Sequence, residues 1–426
     1  MIATLFFSLI VLMFIGVPIA VSIGVSSLAA IAAGGNMAQL FLVAQKMVTA
    51  IDSTTLLAIP LFVLAGVIMG KGGISKQIVD LSYEAFGWIP GSLGIVTVIA
   101  CMFFAAISGS APATVAAIGG IMVPAMIDDG YPGGFSAAVA ASGGVIGCII
   151  PPSIPFVNYA LITGESVSEL FAAGVIPGVL MGVVLCVMVS IYARKYGWGT
   201  RKKGIDVKSV LSALKNAIWA ILMPVIILGG IYGGLFTPTE AAAVACVYGF
   251  LVACFVYKGI KIKDMYDISF EAVNTSAMIL FIVATANAFS NIITTQQVPA
   301  KLSRLVLSLT DNWVVILLLI NVILLINGCF METTASTFIY TPILFPLIME
   351  LGIDPIQFGV ILVMNMTMGL VTPPLGINLF VANGLDKRVN FGEQVKYVIP
   401  FFIGLIAVLM LVSYIPEISL FLVRLL

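Results

Sequence analysis

The sequence predicts an all-α membrane protein that crosses a lipid bilayer many times and consists of two related halves. Of its 426 residues, 61% are hydrophobic and only 9% are charged, whereas a soluble domain has roughly 25% charged residues. Apolar stretches long enough to cross about 30 Å of hydrocarbon as helices recur along the whole chain. Several of them contain Gly and Pro, which indicates broken helices, so we expect roughly ten to twelve crossings together with re-entrant segments.

The N-terminal segment, residues 1–33, is predominantly apolar. A cleavable signal peptide would begin with basic residues and would have a shorter apolar run. The segment therefore predicts a membrane span, bent near Pro18.

One basic stretch separates the two halves of the chain. Between Arg194 and Lys215 there are seven Lys or Arg residues and a single acidic residue, Asp206, so the positive-inside rule places this stretch in the cytoplasm. Residues 207–220 have apolar side chains at helical spacing and form either an amphipathic arm helix on the membrane surface or a solvated linker. The predicted organisation is N-terminal scaffold spans (1–50), a first repeat (51–193, with a hairpin near 100–127), the basic linker and arm helix (194–220), further scaffold spans (221–270) and a second repeat (271–426, with a hairpin near 320–349).

Residues of the first half recur in the same order in the second half, which predicts an internal repeat. The offset between matching positions stays between 219 and 222 residues, and such a run is hard to produce by chance in apolar sequence. Repeated halves are common in secondary transporters, where the second half is often inverted across the membrane. The matches pair Leu61 and Phe62 with Leu280 and Phe281, Ala113 with Ala335, Pro124 with Pro346, Gly130 with Gly352, Gly147 with Gly369, prolines 151 and 152 with 373 and 374, and Asn158 with Asn378.

The composition argues against several classes of protein. The chain has no net charge, so no basic patch predicts binding of nucleic acid. It also has no histidine, the commonest general base and metal ligand. A membrane hydrolase with Ser108 or Ser110 as its nucleophile would need a base, and neither a histidine nor a nearby lysine supplies one, so we do not expect an enzyme. The six cysteines lie in apolar segments without C-x-x-C spacing, which is typical of small buried side chains.

Each half contains two polar interruptions, at residues 108–114, 147–155, 327–334 and 369–376. Gly and Pro end helices and leave backbone groups unpaired, and in lipid such groups survive only inside protein or beside a cavity. Freed carbonyls with Ser and Thr hydroxyls suit a cation such as sodium, whereas freed amides at helix N-termini attract an anion. One interruption alone is explained equally well by a kink or a close helix contact, but four at corresponding positions predict a functional site.

Glu332 has two alternative functions. An acidic residue inside an apolar segment is a functional candidate, since burying its charge is costly. It either ligates a cation or caps the N-terminus of the following helix. For Asp52, and for Thr237 with Glu240, capping is the predicted function, because each precedes an apolar helical pattern.

These motifs together resemble those of the large membrane subunit of tripartite ATP-independent periplasmic (TRAP) transporters, the DctM-like proteins. The similarity covers essentially the whole chain, and the motifs are specific as a set. The segments that carry it are Ser108-Gly-Ser-Ala-Pro-Ala-Thr114, Gly147-x-x-x-Pro-Pro-Ser153, Phe236-Thr-Pro-Thr-Glu-Ala241, Gly328-x-x-Met-Glu332 and Gly369-x-x-x-Pro-Pro-x-Gly376.

The resemblance implies an elevator-type fold with two inverted repeats and two re-entrant helical hairpins, in which a mobile transport domain slides against a scaffold. It also implies coupling to two or more sodium ions. One implied sodium site comprises Ser108, Gly109, Ser110, Gly147 and Ile150, and the other comprises Gly328, Glu332, Gly369 and Thr372. Four further residues are implied to lie near the substrate: Ser153, Asn158, Pro374 and Asn378.

The resemblance further implies a multi-pass protein of the bacterial inner membrane with two protein partners. These are a small four-helix membrane subunit, usually a separate chain, and a soluble periplasmic binding protein that delivers the substrate. Substrates in the family are mostly carboxylates, such as C4-dicarboxylates, sialic acid and other sugar acids, and the sialic-acid type is our expectation here. A second hypothesis is a stand-alone sodium/carboxylate symporter or exchanger that needs no binding protein.

Overall fold

A computed structural model describes residues 1–35, 38–310 and 312–426, and every regular element within these residues is helical. The first half contains α1 (Ile2–Phe14), α2 (Ile19–Ala33), α3 (Ala38–Ile51), α4 (Ala58–Lys71), α5 (Ile74–Phe86), α6 (Ser92–Ser108), α7 (Ala111–Thr114), α8 (Gly120–Asp128), α9 (Gly133–Val145), α10 (Ile154–Thr163) and α11 (Val167–Tyr196). The second half contains α12 (Val207–Tyr232), α13 (Pro238–Leu251), α14 (Met265–Thr295), α15 (Val298–Leu309), α16 (Trp313–Phe330), α17 (Thr333–Glu350), α18 (Pro355–Gly369), α19 (Ile377–Asn383), α20 (Phe391–Tyr414) and α21 (Pro416–Leu420). A π-helical turn, Val115–Gly119, joins α7 to α8.

The N-terminal segment differs from the predicted bent span, because α1 and α2 form a helical hairpin. Gly16 has a left-handed φ of 86°, and Pro18 immediately precedes α2. The chain therefore reverses direction between the two helices, and the Met1 Sδ atom lies 3.1 Å from the position that a β-carbon on Gly34 would occupy. Composition alone could not distinguish this turn from a kink, since Gly and Pro favour both.

One end of the molecule is strongly basic, and we call it the basic end. It contains the basic stretch of residues 194–203, together with the ion pairs of Lys202 with Glu84 and of Arg388 with Asp128. Thr200 of the linker donates hydrogen bonds to Asp129 at 2.9 and 2.6 Å and accepts one from Ser92 at 2.7 Å. The positive-inside rule places this end in the cytoplasm.

Arg388, in the second half of the chain, forms ion pairs at the same basic end. Its guanidinium lies 2.6 Å from Asp128 and 2.6 Å from Asp386. Hydrogen bonds from the Arg388 side chain lower the pKa of Asp386 to about 2, so this carboxylate stays charged at physiological pH.

The opposite end contains a different set of contacts. The Tyr159 hydroxyl donates a 2.7 Å hydrogen bond to the Pro355 carbonyl, and the Tyr414 hydroxyl donates a 3.0 Å bond to the Val314 carbonyl. Helix α20 connects the two ends, since its 24 residues extend over about 36 Å, enough to cross the hydrocarbon core.

The two halves are inverted relative to each other. Hairpin 1 (α6–α8) starts at the basic end with Ser92 and returns there with Asp128, whereas hairpin 2 (α16–α17) starts at the opposite end beside Tyr414 and returns there at Glu350. Broken span 1 (α9–α10) runs from the basic end to the opposite end, and broken span 2 (α18–α19) runs the other way. The predicted fold class of two inverted repeats with re-entrant hairpins and broken helices is confirmed.

Helix α12 resolves the two alternatives for the linker. It begins at Val207 after the N-cap Asp206, as the helical spacing predicts, but it continues without interruption to Tyr232. The arm helix and the following span are therefore one helix, and the boundary predicted at residue 220 lies inside it. The predicted capping box of Thr237 and Glu240 is confirmed at the start of α13.

By length and composition, seven helices in the described part of the chain are able to cross a membrane, or eight if the bent pair α3–α4 forms one span. The broken spans are not among the seven, because each consists of two short helices. Helices α1, α2 and α6 are also too short to be counted, so this number is lower than the predicted ten to twelve crossings.

We expect residues Asp128 and Glu350 to be accessible from opposite faces of the membrane, although they occupy equivalent positions in the repeats. Each ends a hairpin and is exposed, one at each end of the molecule. Asp128→Cys and Glu350→Cys variants, made after replacement of the six native cysteines, are labelled in intact cells with a membrane-impermeant maleimide. Only Glu350→Cys should react before permeabilisation. Labelling of both from outside would contradict the inverted arrangement.

Candidate functional site

A cavity of about 580 Å³ lies where the two hairpins and the two broken spans meet. Its walls contain the tip of hairpin 1, the tip of hairpin 2, both breaks of the broken spans, the second half of α4 and the start of α14. Lys71 and Glu271 lie at one end of the cavity, and that end faces the basic end of the molecule, because Gly72 packs directly against the backbone of Gly259 between Lys258 and Lys261. The cavity is thus directed towards the basic end.

The tip of hairpin 1 is a compact set of oxygen atoms. Helix α6 ends at Ser108, Gly109 follows with a left-handed φ of 62°, and Ser110 precedes α7. The Ser108 and Thr114 hydroxyls lie 2.9 Å apart, and the Thr114 hydroxyl donates a 2.8 Å hydrogen bond to the Ser110 carbonyl. Two hydroxyls and one carbonyl of the kind that sodium prefers are therefore within one turn of each other.

Broken span 1 packs against this tip through its break. A β-carbon on Gly147 would lie 2.5 Å from the Thr114 hydroxyl and 2.7 Å from the Ser110 carbonyl oxygen, so only glycine allows the approach. Cys148 connects the same two segments, because its Sγ accepts a 3.2 Å hydrogen bond from the Ala111 amide. The structure therefore brings together Ser108, Ser110 and Gly147 of the first implied sodium site.

The other two members of that set contribute backbone only. Gly109 faces the Pro152 carbonyl. A β-carbon on Gly109 would lie 2.7 Å from the Pro152 carbonyl oxygen. The Ile150 side chain packs against Gly178 of α11. Any ligand from Ile150 would thus be its carbonyl.

Hairpin 2 and broken span 2 make the corresponding contact. A β-carbon on Gly369 would overlap the backbone of Gly328. The two glycines therefore allow the backbones of hairpin 2 and broken span 2 to touch. Cys329 Sγ donates to the Thr372 carbonyl at 3.2 Å and to the Pro373 carbonyl at 3.4 Å. The cysteines at these two breaks are thus hydrogen-bonded groups and not only small apolar side chains. The Thr372 hydroxyl donates a 3.1 Å hydrogen bond to the Met368 carbonyl, one turn earlier in the chain.

Glu332 caps a helix and also lines the cavity. One of its oxygens, Oε2, accepts hydrogen bonds from the amides of Thr334 at 2.9 Å and Ala335 at 3.2 Å, so it caps α17. The two amide bonds use only part of the lone-pair capacity of a carboxylate, and Glu332 lines the cavity. The carboxylate therefore retains capacity for a second interaction.

Four helices start at the cavity and direct the positive ends of their dipoles towards it. Residues in the first turns of the α7–α8 segment, α10, α17 and α19 all line the cavity wall. Helix N-termini attract anions because their first amides are unpaired and the helix dipole is positive there. Conversely, α6, α9, α16 and α18 end beside the cavity and supply carbonyl ends, which favour cations.

The four residues implied to lie near the substrate are outside the cavity wall in this structure. Ser153 caps α10 and donates a 2.5 Å hydrogen bond to the Cys148 carbonyl. Asn378 donates to the Ala141 carbonyl at 3.2 Å, and the amide group of Asn158 is buried without a partner among the described residues. Pro374 is exposed. Their function at the substrate stays a prediction.

Sequence reasoning missed two residues of the cavity, Lys71 and Glu271. They form an ion pair with a Nζ–Oε2 distance of 2.6 Å and lie in the cavity wall. In the sequence each borders an apolar stretch, where charged residues usually mark the membrane surface. Only the packing of α4 against α14 brings them together.

The sequence of this chain is matched by a family model over most of its length. The model of the DctM component of the tripartite ATP-independent periplasmic transporter matches residues 6–418. The chain belongs to this family. The resemblance of the motifs is thereby confirmed, and so is membership among the TRAP large permease proteins.

Two curated relatives of this TRAP permease have names that mention different organic anions. The isethionate TRAP transporter permease protein DctMQ of Oleidesulfovibrio alaskensis is 45% identical over 96% of this chain, and the chain spans 64% of that relative's length. The C4-dicarboxylate TRAP transporter large permease protein DctM of Pseudomonas aeruginosa is 44% identical over 88% of this chain and 87% of its own length.

A solved structure resembles the fold of this TRAP permease. The YdaH transporter of Alcanivorax borkumensis, described as having an unusual topology, covers 89% of this chain and 88% of its own with a TM-score of 0.65. The sequence identity is 16%, so the similarity concerns the fold alone.

Proposed function

We propose that the chain is the large permease subunit of a secondary transporter that uses a sodium gradient to take up a small organic carboxylate across the bacterial inner membrane. The observation that carries the proposal is the convergence of two hairpin tips and two broken spans on one cavity. The N-termini of the helices that start at this cavity favour an anion, and the C-termini of the helices that end there favour a cation.

The charges in the cavity wall favour coupling to a cation. Among the lining residues that the structure describes, Lys71 and Glu271 neutralise each other, and Glu332 leaves one net negative charge. A carboxylate entering this space would be repelled by Glu332, since two like charges at short range interact strongly away from bulk water. Sodium bound next to the hairpin tips removes this repulsion, so the anion binds well only together with the cation.

An elevator motion is consistent with the packing around the cavity. The hairpins and broken spans of the two repeats hold each other through the glycine contacts at residues 147 and 369. Helices α4 and α14 form the other wall. We propose that the first group moves as the transport domain against a scaffold that includes α4 and α14, with the structure representing the inward-facing state.

The chemical class of the substrate is proposed from the relatives. Their names mention a sulfonate and C4-dicarboxylates, which share a compact anionic group. This broadens the expectation of a sialic acid, which stays a prediction. We also propose that a small membrane subunit and a periplasmic binding protein complete the transporter, as the family name indicates.

Reconstitution tests the proposal and the stand-alone alternative together. The complex of this chain with its small subunit is placed in liposomes, and uptake of labelled succinate, isethionate and sialic acid is measured with a sodium or a potassium gradient. We expect accumulation of one anion that requires both sodium and the added binding protein. Uptake without the binding protein would favour the stand-alone symporter, and equal uptake in potassium would contradict sodium coupling.

A further inference from the structure

The ion pair of Lys71 and Glu271 lies where the cavity meets the cytoplasm. Lys71 is the last residue of α4, and Glu271 is in the second turn of α14. Their charged atoms are 2.6 Å apart, and their side chains are 44% and 52% exposed. Both residues line the same cavity as Ser108 and Glu332, so an anion that leaves the hairpin tips through this end of the cavity comes close to the pair.

Lys71 is the one cationic side chain among the lining residues that the structure describes. It is half exposed, so its bond to Glu271 is of the weak, solvent-accessible kind. A carboxylate or sulfonate passing at contact distance offers Lys71 an equivalent partner. Exchange of one anionic partner for the other therefore has a low energetic cost.

We propose that Lys71 is a cytoplasmic exit site for the anionic substrate and that Glu271 is the competing anion that prevents the substrate from remaining there. This inference rests on the proposed function, since it requires an anion that leaves through this cavity. During release the substrate takes the place of Glu271 at the Lys71 ammonium, and Glu271 then regains its partner as the substrate diffuses away.

The two residues have opposite effects in this mechanism, which makes it testable. Loss of Lys71 weakens binding of the anion at the cytoplasmic face. Loss of Glu271 strengthens it, because Lys71 is then free. Both effects require an accessible charge interaction, so they diminish as ionic strength rises.

The test uses inside-out membrane vesicles that contain the full transporter, because these expose the cytoplasmic face. The measured quantity is the external concentration of succinate or isethionate that half-saturates exchange against the same anion inside. We expect Lys71→Gln to raise this concentration about three- to fivefold and Glu271→Gln to lower it by a similar factor. The double variant should behave like Lys71→Gln, and 0.5 M potassium chloride should reduce each difference.

A second ion pair of the same length provides matched controls. Lys202 and Glu84 are also 2.6 Å apart at the basic end but do not line the cavity. Lys202→Gln and Glu84→Gln should leave the half-saturating concentration unchanged. The inference is overturned if Lys71→Gln and Glu271→Gln shift it in the same direction, if neither shifts it, or if the controls shift it equally.

The wild-type vesicles distinguish failure of the inference from failure of the proposed function. Exchange that persists unchanged after sodium is replaced by potassium would contradict sodium coupling, while the ratios between variants would still test Lys71. Absence of exchange with succinate, isethionate and also sialic acid in the wild type would contradict the proposed function, and the inference with it.

Discussion

Replacing Gly369 with alanine is expected to reduce uptake by at least about 100-fold. A β-carbon at this position would overlap the backbone of Gly328, and because the contact is between two backbones, no side chain can rotate away. Hairpin 2 and broken span 2 must therefore separate, which displaces Glu332 from the cavity wall. A displacement of about 1 Å at a site of this kind costs on the order of 100-fold in rate. Initial uptake rates, normalised to the amount of protein in the membrane, measure the effect.

Gly120 provides the matched control for this substitution. It lies in α8 of hairpin 1, and a β-carbon there meets no atom within 4 Å. Gly120→Ala should leave uptake unchanged and should stabilise the helix by about 0.5–1 kcal/mol. If Gly369→Ala transports at the wild-type rate, the tight contact between hairpin 2 and broken span 2 is not required for transport.

Glu332 is expected to show two separable effects when it is changed to glutamine or to alanine. Glutamine retains an oxygen that can accept from the Thr334 amide but removes the charge from the cavity. We expect Glu332→Gln to raise the sodium concentration for half-maximal uptake about tenfold, equivalent to about 1.4 kcal/mol. Alanine also removes the cap, so Glu332→Ala should additionally lower stability by about 1 kcal/mol.

Sodium titration of uptake and thermal unfolding in detergent measure these two effects. Asp354 is a suitable control, because it caps α18 through the amides of Ile356 and Gln357 but does not line the cavity. Asp354→Ala should lower stability without changing the sodium requirement. An unchanged sodium requirement in Glu332→Gln would leave capping as the sole function of Glu332.

The breaks in the helices could be predicted from the sequence because Gly and Pro act locally. The helices end and restart at residues 108–111, 148–154, 330–333 and 369–377, which match the polar interruptions to within one residue. Local chemistry suffices here, since a proline pair removes two amide donors and a glycine readily adopts the left-handed conformation that ends a helix.

Features that depend on distant contacts could not be predicted in the same way. Lys71 and Glu271 are 200 positions apart, and no periodicity connects them. The hairpin of α1 and α2 depends on which way the chain turns after Gly16, which composition does not indicate. The placement of Asn158 and Asn378 outside the cavity wall depends on how the broken spans cross, and their polar character alone suggested a substrate site.

Direct binding of radioactive sodium to the purified chain tests the central claim, that the paired helix breaks form a cation site. The binding isotherm is measured in detergent at constant ionic strength, with potassium or choline replacing sodium. We predict saturable sodium binding that these ions do not displace, and binding about tenfold weaker in Glu332→Gln. Binding that potassium displaces equally well, or no saturable binding at all, would contradict the claim.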